Sequence, residues 1–149
     1  MADDLMQYAF RALAQRALTE RELRERLVRR GAGEAEQARI LGRLRELGYL
    51  NDAEVARSVS EKRGVGQFRV KSDLARRGVE REVAEEVLAA RGDERERENL
   101  MALIERHREK WLRAPDPRAR AFGFLARRGF APGMIFEALR ELDTPPEGR

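Results

Sequence analysis

At 149 residues, with 39% charged and 42% hydrophobic side chains, the chain carries far more charge than the roughly 25% of an average domain. That balance suits helices with thin apolar faces and argues against a thick-cored enzyme, while the absence of cysteine excludes disulfides and thiolate metal sites and fits a reducing cytoplasm. No apolar run approaches the roughly 20 residues of a membrane span, and Met1-Ala-Asp-Asp4 lacks the basic start and apolar run of a signal peptide, so a soluble, cytoplasmic protein is expected.

In chain order, a first helix is predicted from about Asp4 to Ala17, with Met6, Phe10, Leu13, Ala14 and Ala17 as its apolar stripe. Thr19 stands three residues before Glu22, the spacing of a capping box, and opens a second helix with Leu23 and Leu27 inward. A third, from about Glu34 to Leu47, aligns Ile40, Leu44 and Leu47. The junction Leu47-Gly-Tyr-Leu-Asn-Asp52 follows, where Tyr49 and Leu50 are expected to bury and Asn51 to cap the next helix. A fourth helix carries Val55, Ala56 and Val59, and Gly64-Val65-Gly66 reads as a flexible connector. No strand precedes it and no Gly-Lys-Ser/Thr follows, so it is not a phosphate loop.

A fifth helix places Val70 and Leu74 inward, and a sixth Val83, Val87 and Leu88, stopping near Gly92. Asp93, three before Glu96, starts a long seventh helix with Leu100, Leu103, Ile104, His107 and Trp111 on one stripe. Asp116-Pro117 opens an eighth, with Ala121, Phe122 and Leu125. Pro132 opens a ninth, with Ile135, Leu139 and Leu142. Alternation at period two is absent, so no strands are expected.

Three of these helices end on one phrase: Leu27-Val-Arg-Arg-Gly31, Leu74-Ala-Arg-Arg-Gly78 and Leu125-Ala-Arg-Arg-Gly129, with glycines 47 and then 51 positions apart. Leucine makes the last core contact, two arginines meet the negative end of the helix dipole, and glycine closes the cap. Self-similarity at this period predicts an all-α, elongated array of three tandem three-helix repeats. The predicted bounds are 1–50, 51–92 and 93–143, followed by a mobile tail, 144–149.

Charge is unevenly spread over a net +4. Residues 57–77 hold seven bases against two acids, and 110–128 six against one, with an acidic stretch between them. In a repeat array the pairs Arg29-Arg30, Arg76-Arg77 and Arg127-Arg128 can form a ladder of positive charge. Arg63, Arg69 and Lys71 thicken its middle rung, and Arg113, Arg118 and Arg120 the third. The same pairs also serve simply as dipole complements. Aromatics that could stack on bases are scarce, and Trp111, Phe122, Phe130 and Phe136 read as core. His107, the only histidine, lies on an apolar stripe and reads as structural, so no catalytic residue, metal or cofactor is expected.

The repeated caps, the Leu47–Asp52 junction followed by Val55-Ala56, and the closing Leu125-Ala-Arg-Arg-Gly-Phe-Ala-Pro-Gly-Met-Ile135 resemble the RecX family over about the whole chain. The junction is the most specific part; Asn51 stands where the family more often has aspartate. The resemblance implies a crescent of three-helix repeats that negatively regulates the RecA recombinase. Such proteins lie in the groove of the RecA–DNA filament and hinder filament growth, ATP hydrolysis, strand exchange and LexA cleavage. A monomer with weak affinity for single- or double-stranded DNA is expected. The residues alone leave two alternatives, a helix-turn-helix-like DNA-binding module and a structural adaptor, although arginines at helix ends are poorly placed to read base edges.

Overall fold

The computed structural model describes residues 2–140 and Leu142, all helix, turn or loop. The predicted tail, 144–149, lies outside the described residues. The helices are α1 (Ala2–Gln15), α2 (Glu20–Arg29), α3 (Glu34–Glu46), α4 (Asp52–Ser60), α5 (Gln67–Arg77), α6 (Arg81–Leu112), α7 (Pro117–Arg127) and α8 (Pro132–Leu139). Eight stand where nine were expected, because the sixth and seventh join into α6 across a break. Gly92, with φ 72° and ψ 156°, interrupts that helix without separating its halves by a loop.

The three repeated stops form as their residues dictate. Gly31, Gly78 and Gly129 take φ of 89°, 85° and 95°. The next residue's N–H returns to the leucine carbonyl in each: Ala32 to Leu27 at 3.0 Å, Val79 to Leu74 at 3.0 Å and Phe130 to Leu125 at 3.3 Å. Ala32, Val79 and Phe130 are themselves buried, so each stop is a hydrogen-bonded cap sealed by an apolar contact.

Two compact units emerge, neither continuous in sequence: residues 1–59 with 73–87, and 60–72 with 88–149. The first has a core of Ala9, Ala12, Leu18, Leu23, Leu27, Ile40, Leu41, Leu44 and Leu50. Thr19 and Glu22 make the expected capping box, and Asn51 accepts from the Glu54 N–H at 3.1 Å. The buried face of α1 matches the predicted stripe only in part: Met6 and Leu13 pack against the core. Ala9 and Ala12 lie in the core, where small side chains let helices approach closely, while Ala14 and Ala17 face solvent. Phe10 sits at the edge, its ring 5.4 Å from that of Tyr49 in an edge-on contact. Tyr49 is 57% exposed and Leu47 45%, so of the junction's large side chains only Leu50 is buried.

The second unit packs α6, α7 and α8 around Leu100, Leu103, Ile104, Trp111, Ala121, Leu125, Phe130, Ile135, Leu139 and Leu142. Asp116 caps α7 by accepting from the Ala119 N–H at 3.2 Å, with Pro117 at the first helical position. Glu96, placed by the sequence three residues after Asp93 at the start of the seventh helix, is buried. It pairs with Arg91 at 2.7 Å and accepts from the Gln67 N–H at 2.6 Å. Arg91 also donates to the carbonyls of Ser60 and Val65. The Gly64–Gly66 connector is therefore pinned rather than flexible.

Candidate interaction surface

Two of the three arginine-rich caps are docking points inside their own unit. In the first unit the Thr19 hydroxyl donates to the Arg77 carbonyl at 2.6 Å. The Arg77 guanidinium donates to both Glu22 carboxylate oxygens, at 3.0 and 3.1 Å, and to the Ala17 carbonyl at 2.9 Å. Burial alone would raise the Glu22 carboxyl, but donation from Arg77 and from the Thr19 N–H outweighs it and holds the group below its ordinary range. The α2 helix abuts Gly78, where an added Cβ would strike the Arg21 side chain.

The second unit repeats the arrangement one cap later. Gly66 N–H donates to the Arg128 carbonyl at 2.8 Å and Phe68 N–H to the Gly129 carbonyl at 3.0 Å. A Cβ at Gly129 would meet the backbone and Cβ of Arg69. The Arg128 guanidinium lies over the Phe124 ring at 4.9 Å and reaches the Gly64 carbonyl at 3.4 Å. Nothing lies within 4 Å of an equivalent Cβ at Gly31 among the described residues.

The predicted surface arginines thus divide into two groups. Arg77 and Arg128 are half-buried and hold the joints, contrary to a ladder in which every pair faces solvent. Arg29, Arg30, Arg63, Arg69, Lys71, Arg76, Arg113, Arg118, Arg120 and Arg127 are exposed. Several are held in place: Arg30 lies 4.0 Å over the Tyr8 ring, Arg69 reaches the Arg127 carbonyl, and Arg76 pairs with Asp73. Arg118 donates to the Arg140 carbonyl at 3.0 Å. Guanidiniums anchored in this way present charge with less entropy left to lose on binding.

The aromatic residues depart from expectation at α8. Trp111 and Phe130 are buried, but Phe136 is 64% exposed and Phe122 half-buried, their rings stacked with centroids 4.8 Å apart. No sequence signal marked this pair, because a phenylalanine on a short helix beside core residues reads as core.

The site contains little that could do chemistry. His107 is stacked on Trp111 at 5.5 Å and tilted against Phe124 at 4.7 Å. Burial, then Arg106, Lys110 and Arg128, lower its pKa, which keeps the ring neutral at physiological pH. Among the described residues no group of three or more His, Cys, Asp or Glu is placed to hold a metal. No described helix is long and apolar enough to cross a membrane. A surface cleft of about 390 Å³, lined by Arg97, Met101, Met134, Glu137, Ala138 and Arg140, offers no nucleophile beside a base.

No protein-family model matches the chain. Curated proteins do. Regulatory protein RecX of Deinococcus radiodurans is 47% identical over 96% of this chain and 71% of its own length. Regulatory protein RecX of Thermus thermophilus is 37% identical over 99% of both chains. The crystal structure of RecX from Lactobacillus salivarius superposes with a TM-score of 0.82 over 95% of this chain and 96% of that one, at 21% identity. Identity at this level over nearly the whole length, joined to the all-helical fold and its repeated caps, places the chain in the RecX family of regulatory proteins.

Proposed function

We propose that the chain is a monomeric array of three three-helix repeats, 1–50, 51–92 and 93–143, acting in the cytoplasm as a negative, non-catalytic regulator of RecA. In this reading it lies in the groove of the RecA–DNA filament and hinders filament growth, ATP hydrolysis, strand exchange and LexA cleavage, touching DNA weakly. Membership of the RecX family is the observation that carries it. The exposed arginines support it, since guanidiniums at helix ends suit carboxylates and phosphates better than base edges.

The contact surface is assigned to Arg29, Arg30, Arg63, Arg69, Lys71, Arg76, Arg113, Arg118, Arg120 and Arg127, with Arg77 and Arg128 as the joints behind it. The middle stretch, 57–77, is assigned the largest share because it holds seven bases and only two acids, Glu61 and Asp73; Arg77 and Arg57 are engaged by Glu22 and Glu54 outside it, and the other five carry the assignment. The test is RecA ATPase on single-stranded DNA with and without the protein. Inhibition is expected, and it should weaken strongly when Arg63, Lys71 and Arg76 are reversed together to glutamate. The same reversal of Arg24 and Arg39, in the charge-balanced first 56 residues, is the control. Arg69, Arg77 and Arg21 are left unaltered because each packs at a joint. An unaffected ATPase would overturn the reading, and sequence-selective duplex binding without RecA would replace it with a DNA reader.

A further inference from the structure

We propose that the Phe122–Phe136 pair and its flanking arginines form a stacking ledge for one base of single-stranded nucleic acid. Phe122 on α7 and Phe136 on α8 are stacked with an interplanar angle of 29°. Phe122 supports the inner face of the pair, and Phe136 turns most of its surface to solvent. Arg118 is one helical turn before Phe122 on the same face of α7, and Arg140, the C-cap of α8, follows Phe136 by four residues, the spacing of one turn. The Arg118 guanidinium bonds the Arg140 carbonyl, which ties the two ends of this strip together.

An aromatic face edged by two guanidiniums matches a base with a phosphate on either side. Aromatic faces accept any base, and arginine supplies the counter-charge. Duplex bases are already stacked on their neighbours, so the ledge selects unpaired strands. A protein partner is the less fitting occupant. Phe122, on which the exposed Phe136 ring is stacked, belongs to the strongly positive stretch 110–128, and positive charge beside a ring suits a phosphate-bearing strand. The inference rests on the RecA reading only in that such filaments bring single-stranded DNA to the protein; the binding itself needs no RecA.

The experiment is fluorescence anisotropy of a labelled oligo(dT) strand with the full chain, without RecA and at low salt. Phe136→Ala should keep its far-UV circular dichroism and weaken binding about tenfold, within the fivefold to hundredfold range that truncating one stacking ring gives. Phe136→Trp should keep the affinity, and its new indole emission should be quenched on binding. Tyr49→Ala, which removes an exposed aromatic in the first unit, should change nothing. Several results would overturn the ledge: no strand binding by the wild type, equal affinity of Phe136→Ala and wild type, or equal losses for duplex and single strand. Loss of RecA inhibition in Phe136→Ala with strand affinity unchanged would assign the ring to a protein contact and overturn it too. Strand binding that depends on Phe136 in a protein without effect on RecA would uphold the ledge and overturn the RecA reading.

Discussion

Alanine at each of the three repeated glycines separates what the backbone needs from what the neighbours need. All three adopt φ between 85° and 95°, where a side chain costs about 1–2 kcal/mol. At Gly31 that is the whole penalty, since an added Cβ meets nothing within 4 Å. At Gly78 it would meet the Arg21 side chain, whose outer atoms can swing away while its Cβ cannot. At Gly129 it would meet backbone, and α5 would have to withdraw. Withdrawal strains or breaks two hydrogen bonds, Gly66 N–H to Arg128 and Phe68 N–H to Gly129, each worth about 0.5–1.5 kcal/mol net. The expected losses are therefore about 1–2 kcal/mol for Gly31→Ala, more for Gly78→Ala, and about 2–5 kcal/mol for Gly129→Ala. Urea unfolding followed by circular dichroism reads the series through the transition midpoints. Equal midpoint shifts at 31 and 129 would refute the reasoning, because they would mean that no close approach constrains the third cap.

Three further outcomes are expected. Glu96→Ala strands the Arg91 charge in the core and should cost about 3–5 kcal/mol, while Arg91→Met with Glu96→Leu should cost less than the two single changes combined; additive losses in urea unfolding would contradict a coupled pair. Because the folded-state pKa of Glu22 is lowered, its contribution is present above the ordinary carboxylate range and lost as pH falls through the folded value. Glu22→Gln should flatten that acid-side decline, and an unchanged profile of melting temperature against pH would count against the Arg77 pair. The lowered pKa of His107 means that the unfolded chain takes up the proton first, so stability should fall as pH drops below about 6.5. His107→Leu should remove that part of the decline, and a slope identical to wild type would show that His107 is not responsible.

Local chemistry was legible in the sequence. The Leu-x-Arg-Arg-Gly stops, the Thr19–Glu22 box and the Asp116-Pro117 start depend on residues within a few positions of one another, and all form as their composition requires. What depends on distant neighbours was not legible. Arg76 and Arg77 are adjacent and identical, yet one faces solvent and the other is captured by Glu22, 55 residues away. On α1 the predicted stripe is rotated: Met6 and Leu13 still pack against the core, but Ala9 and Ala12 take its centre in place of Phe10, because close helix approach rewards small side chains. No local signal marks Arg91 and Glu96 as a buried pair, and only the fold around Gly92 turns both inward. The exposed ring of Phe136 was hidden for the opposite reason, since hydrophobicity alone gives no direction.

The division into two units bears on how this protein can be dissected. Their boundaries fall at 59/60, 72/73 and 87/88, all inside helices: the end of α4, the middle of α5 and the first turns of α6. A protease searching for an exposed linker would find none of those positions accessible without first fraying a helix. A recombinant fragment ending at residue 59 would lack Arg77, which ties down Thr19 and Glu22, and one starting at residue 88 would lack Gly66 and Phe68, which close the third cap. Truncations would therefore report damaged packing rather than a missing contact surface. Point substitutions at exposed side chains such as Lys71 or Phe136 are the tools that can map this molecule without dismantling it.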